Sequence, residues 1–133
     1  MKAQTRPIPH RWIETDTTEM FLPDGLIEHN RWTVVVASRA DEPVSQTADV
    51  VGMSCGFDVI AGAVELPAVV AGDLVAILDT GAYQDAASSN FNALPRPATV
   101  LVRGDEAEVV KRAETVEEVF RRDVVPERLR GAS

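Results

Sequence analysis

Short apolar runs rich in β-branched residues recur along the chain, separated by turn residues, and predict about six strands. Residues 11–16 form the first. Residues 32–38 hold Val34, Val35 and Val36, a run suited to a buried strand. Residues 47–53 and 74–78 are two more, the latter fit for the centre of a sheet. Residues 98–103 and 106–112 flank Gly104 and Asp105, a two-residue turn that predicts a hairpin. Val100 and Val102 share one face of that hairpin, and Thr99, Leu101 and Arg103 the other. The segments between read as loops: a loose leader over residues 1–10, a turn at Pro23-Asp24-Gly25, a charged loop over 39–46, and a turn at Ala71-Gly72-Asp73.

The period changes near the C-terminus. Thr115 and Glu118 stand three apart, the spacing of a capping box, and Val116, Val119 and Phe120 then fall on one helix face. Pro126 ends the segment. The pattern therefore predicts a mainly β fold, a barrel or sandwich, with one short helix and a C-terminal helix.

A length of 133 residues fits one domain, expected over residues 12–133 after a leader of 1–11. The net charge of -8, with no basic block, argues against nucleic acid as a partner. The single cysteine, Cys55, allows no internal disulfide, which fits a reducing cytoplasm. The N-terminal residues lack the apolar core of a signal peptide. The longest nearly apolar run, residues 59–70, is interrupted by Gly62, Glu65 and Pro67, too broken to span a bilayer. His10 and His29 are the only histidines, and no spacing suggests a metal site.

Three places carry candidate chemistry. Tyr83 follows Gly81 and Ala82 directly after an apolar strand, where a glycine admits a ligand close to the backbone and a phenol can donate to a phosphate or carboxylate. Taken alone, Tyr83 reads as a half-buried packing residue. Residues 88–92, Ser-Ser-Asn-Phe-Asn, read as a short polar helix or turn, and Arg96, between Pro95 and Pro97, as a solvent-exposed side chain in an extended connector. Cys55 taken alone reads as a buried structural thiol.

Together the residues of 79–97, with their Gly81-Ala82-Tyr83, Ser88-Ser89-Asn90-Phe91-Asn92 and Arg96-Pro97 elements, resemble a signature of one family. It is the C-terminal domain of pyridoxal-phosphate-dependent ornithine, diaminopimelate and arginine decarboxylases, of the alanine-racemase-like fold type, and especially its diaminopimelate-decarboxylase-like members. The resemblance runs from about Trp12 to Phe120. It implies a Greek-key β-barrel like the alanine racemase C-terminal domain. It implies that pyridoxal phosphate is held by a lysine on a separate (β/α)8 barrel, and that the active site lies between one subunit's barrel and the other's C-terminal domain in a dimer. Gly81 and Tyr83 would then contact the cofactor, Asp58 and Tyr83 the substrate, and Phe91 would be an apolar anchor. Cys55 would be catalytic, protonating the carbon from which CO2 departs. A free thiol, with a pKa of about 8.5, is mostly protonated at neutral pH and able to donate.

Two positions depart from the family pattern. The family cysteine is followed by an acid that grips a distal ammonium, whereas Cys55 is followed by Gly56, and the spacing to Asp58 is one residue short. An arginine that binds a substrate carboxylate in diaminopimelate enzymes is replaced by Leu22. The expected substrate is therefore an amino acid, or an aminoacyl group on a carrier, without a cationic tail. Lys2 and Lys111 are the only lysines, and neither lies in a motif that holds the cofactor, so no decarboxylation is expected from this chain by itself. His29, Asn30 and Arg31 are further pocket candidates. Two rival readings are a non-catalytic docking or regulatory module and a remnant of the family.

Overall fold

The computed structural model describes residues 11–23, 32–55 and 58–130. The leader, the Asp24-Gly25 part of the first turn, Gly56, and the candidates His29, Asn30 and Arg31 lie outside these residues. The chain divides into two compact units, Met1–Ser88 and Ser89–Ser133.

The first unit holds the buried core. Strand β1 (Trp12–Glu14) pairs in parallel with β3 (Gln46–Val51), which pairs antiparallel with β4 (Val59–Leu66). Strands β2 (Thr33–Val36) and β5 (Val75–Leu78) form a separate antiparallel pair. The β-branched run behaves as its pattern predicts: Val34 and Val36 point inward at 7% and 1% exposure. They join Leu22, Val50, Ile60, Ala61 and Leu66 in one cluster. Full burial of Val36 and Val50 contributes about 1.5–3 kcal/mol each.

Strand β3 is covered on both faces. Ala48, Asp49 and Val50 are all buried, so the two-residue alternation is lost at its centre. The buried Asp49 carboxylate accepts the Ala63 N–H at 2.7 Å. Ala63 sits in left-handed backbone with φ 53°, and the β3–β4 register shifts beside it. This irregularity carries β4 through Gly62 and Glu65, the residues that make the segment look interrupted in sequence. The longest strand of the fold was thus not among the predicted six.

The second unit contains the predicted hairpin, β6 (Thr99–Arg103) and β7 (Glu106–Lys111), closed by Gly104 with φ 63° and Asp105. The helix Val116–Phe120 follows, and its capping box forms as the spacing predicts. Thr115 Oγ1 accepts the Glu118 N–H and the Glu118 carboxylate accepts the Thr115 N–H.

The mainly β class and the C-terminal helix Val116–Phe120 agree with expectation, whereas the short helix expected over residues 88–92 falls earlier, at Gln84–Ala87, with a 3₁₀ turn at Phe91–Ala93. Closure into a barrel is not seen among the described strands, which form sheets of three, two and two. Among the described residues no hydrogen-bonded ladder joins the first sheet to the β2–β5 pair. No described helix is long and apolar enough to cross a membrane.

Candidate active site

Strand β5 ends at Leu78, and the backbone then turns sharply. Asp79 has φ 58° and Tyr83 φ 60°. Among the described residues, five non-glycine positions have positive φ, and Asp79, Tyr83, Asn92 and Ala93 are four of them, all within the signature stretch. Left-handed backbone costs about 1–3 kcal/mol at such positions, a concentration typical of places where geometry serves a ligand. Tyr83 forms the start of the helix Gln84–Ala87, yet its side chain is 71% exposed. The packing role read from the residue alone is replaced by a phenol presented to solvent. A Cβ on Gly81 would meet nothing within 4 Å, so a ligand has open access to that backbone.

An open groove of about 650 Å³ lies in this unit. Ile13 and Leu22, with Val75 and Ile77 of β5, give it apolar walls, and Thr80 and Gln84 from either side of Gly81–Tyr83 also line it.

Cys55 is exposed, not a buried structural thiol. It follows β3 through Gly52, Met53 and Ser54, whose three successive N–H groups are all bonded. The Gly52 N–H donates to the Asp58 carbonyl at 2.8 Å and the Met53 N–H to the Thr17 carbonyl at 2.9 Å. The Ser54 N–H donates to Asp58 Oδ2 at 2.8 Å. Asp58 Oδ1 accepts the Glu19 N–H at 2.6 Å. Asp58 is only 7% exposed, so its carboxylate faces backbone amides rather than open solvent.

Thr18 completes the arrangement. It is fully buried, its hydroxyl oxygen accepts the Met20 N–H at 3.2 Å, and it lies 3.1 Å from the Ser54 hydroxyl. Burial, then the neighbouring Asp58 charge, pushes the Glu19 carboxyl above its ordinary value. Sequence inspection missed Thr18 and the Glu19 amide as partners of the cysteine loop. They stand 36 and 39 residues from theirs, and no local pattern marks the pairing.

In the second unit the rest of the signature is held by an acid the sequence did not single out. The Glu114 carboxylate accepts from the Asn90 side chain at 2.6 Å and the Arg96 N–H at 2.9 Å, with the Arg96 guanidinium 3.0 Å away. Arg96 Nη2 also donates to Asn90 Oδ1 at 3.0 Å. Arg96 is therefore half-buried and paired, not a free side chain in a connector. Phe91 is 42% exposed and lies in a short 3₁₀ turn, Phe91–Ala93.

The described residues hold no group of three or more His, Cys, Asp or Glu arranged for a metal ion. As for pyridoxal phosphate, they supply an exposed phenol, Tyr83, beside open backbone at Gly81, and Lys111, the one lysine among the described residues, lies on the hairpin strand β7 of the second unit. A phenol and open backbone fit one edge of such a cofactor.

The strand-rich first unit presents an exposed tyrosine, Tyr83, and an exposed cysteine, Cys55. The family model described as pyridoxal-dependent decarboxylase, C-terminal sheet domain, matches residues 12–81, and the chain belongs to that family. It is 51% identical over 104 residues to the diaminopimelate decarboxylase of Actinosynnema pretiosum subsp. auranticum, covering 77% of this chain and 23% of that protein. It is 36% identical over 108 residues to the diaminopimelate decarboxylase of Synechocystis sp., covering 80% of this chain and 23% of the relative. The crystal structure of diaminopimelate decarboxylase from M. jannaschii in co-complex with L-lysine superposes with a TM-score of 0.82 at 25% identity, covering 93% of this chain and 29% of that one. The chain thus spans about a quarter of the length of the relatives it matches.

Proposed function

We propose that this chain is the C-terminal part of a pyridoxal-phosphate-dependent amino-acid decarboxylase, completing the active site of a (β/α)8 barrel that carries the cofactor lysine. The observation that carries this reading is the exposure of both Tyr83 and Cys55 in a domain of this family.

Bound pyridoxal phosphate would act as the sink for the electron pair left on Cα when the bond to the carboxylate carbon breaks and CO2 departs. Tyr83 would donate a hydrogen bond from its phenol to the cofactor phosphate, with the open Gly81 backbone admitting that group. Cys55 would give its thiol proton to Cα and regain one from solvent, so one proton is taken up per CO2 released. Asp58 enters this reading through the loop that presents the cysteine. Leu22 is 4% exposed and packed in the core, so the place where family members carry a carboxylate-binding arginine offers no charge. With Gly56 after the cysteine, this favours a substrate without a cationic tail, an amino acid or an aminoacyl group. Assembly as a dimer in the cytoplasm belongs to the same reading.

The test is to add this chain to a barrel protein of the family and follow CO2 release from a panel of amino acids. Restored release, reduced by Cys55→Ala, is the expected result. Full release in that variant would remove the proton-donor role. A second reading, a docking module, has one observation in its favour: Val100, Leu101, Val102, Val109 and Val110 on the hairpin are all 46–67% exposed. Capture of the barrel protein without any turnover would favour it.

A further inference from the structure

We propose that Asp58 is a positioning residue for Cys55, acting through the backbone before the thiol rather than through contact with substrate. The proposal rests on the reading of Cys55 as proton donor only for its catalytic consequence; the geometry stands without it. The Asp58 carboxylate is buried, and its hydrogen-bond partners are two backbone amides, Ser54 N–H on Oδ2 and Glu19 N–H on Oδ1. No arginine or lysine pairs with it among the described residues, and the charge of neighbouring Glu19 has the same sign. A buried charge in such surroundings is a poor source of stability. It does fix two donors from different segments at one point.

One oxygen holds the residue before Cys55, the other the segment that follows Thr18, and the Asp58 carbonyl holds Gly52. Asp58 thereby ties the backbone leading to the thiol at Gly52 and Ser54, the Thr17 carbonyl holds Met53 between them, and Cys55 itself emerges at the surface. Only a carboxylate satisfies both ends. Asparagine has the same shape, but one of its two positions is a donor, so in either orientation it faces one of the two N–H groups with another N–H. The variant Asp58→Asn must therefore release one tether.

The experiment uses the full chain, in which Cys55 is the only thiol, so an aromatic disulfide reagent reports on it alone. Expected is a rise in the Cys55 labelling rate of at least about threefold in Asp58→Asn, because access and environment set thiol reactivity. Glu19→Gln, which removes the adjacent charge and keeps the amide, should stay within about twofold of the parent. With the barrel protein added, Asp58→Asn should lower kcat about ten- to a hundredfold, as expected for a misplaced group, with KM changed less. Folded Asp58→Asn that labels and turns over like the parent overturns the proposal. Faster labelling combined with a fully active Cys55→Ala keeps the positioning role and removes the catalytic reading of the thiol.

If Asp58→Asn does not fold, the parent chain decides the matter by NMR. Hydrogen exchange of the Ser54 and Glu19 amides should be slowed to a similar degree, as for two donors held by one carboxylate. A Ser54 or Glu19 amide that exchanges at the rate of an unbonded one overturns the proposal.

Discussion

Gly52 and Asp58 fit together only because Gly52 has no side chain. A Cβ at position 52 would lie 2.3 Å from Asp58 Oδ2, 2.5 Å from its Cγ and 2.7 Å from Oδ1. The carboxylate occupies the space a larger residue would need. Gly52→Ala should push it off the Ser54 and Glu19 amides and leave buried donors unpaired, at about 1–3 kcal/mol for each. The expected loss is about 2–4 kcal/mol in urea unfolding of the chain. A loss below about 0.5 kcal/mol would mean that the carboxylate moves freely.

Glu19 is held above its ordinary carboxylate range, first by burial and then by Asp58. A carboxyl whose folded value is raised destabilises the fold where it is ionised. The penalty is full above the folded value and relieved as pH falls through it. Glu19→Gln should therefore unfold at a higher temperature than the parent at pH 7, and the difference should shrink as pH falls towards the ordinary value of 4.5. Melting curves across that range test this, and a variant less stable at pH 7 would contradict it.

The second unit should respond to acid in the opposite sense. The Arg112 guanidinium, then the Thr115 N–H, pushes Glu118 down to about 2 from an ordinary value of 4.5. Glu114 is lowered first by the Arg96 N–H and next by the Asn90 amide. Each contribution is complete above the ordinary value and lost as pH falls through the folded one. Helix signals from Val116–Phe120 should thus weaken between about pH 4.5 and pH 2, and Glu118→Gln should weaken them already at pH 7. Amide chemical shifts followed by NMR would show it; a helix unchanged at pH 2 would exclude the role given to the Glu118 carboxylate.

Tyr83→Phe should leave stability within about 0.5 kcal/mol of the parent, because the ring is exposed. In the enzyme completed with a barrel protein it should weaken cofactor retention roughly ten- to a hundredfold, the loss of one hydrogen bond to a charged group. Equilibrium dialysis of the cofactor measures this. Unchanged retention would place the phenol away from the phosphate.

The local features were legible in the sequence because nearby residues decide them. The β-branched run at Val34–Val36 had to bury its alternate members, Gly104 and Asp105 had to close a hairpin, and Thr115 with Glu118 had to cap a helix. The signature around Gly81 and Tyr83 named a family for the same reason: it is a continuous stretch. What failed depended on distant partners. Strand β4 looked broken at Gly62, but the Asp49 carboxylate receives the Ala63 N–H across the sheet and lets the strand continue.

By itself, then, the sequence determined the strand-rich class, the hairpin and the capped helix, fixed by short-range sterics and hydrogen bonding, while the candidate tyrosine and cysteine came from the family resemblance. Tertiary structure alone decided that Cys55 and Tyr83 face outward, that Arg96 is bound by Glu114, and that Asp58 turns its charge inward onto the Ser54 and Glu19 amides. The physical reason is the same in each case. A side chain's exposure and partners depend on which distant segment the chain brings beside it, and one-dimensional spacing carries no record of that approach.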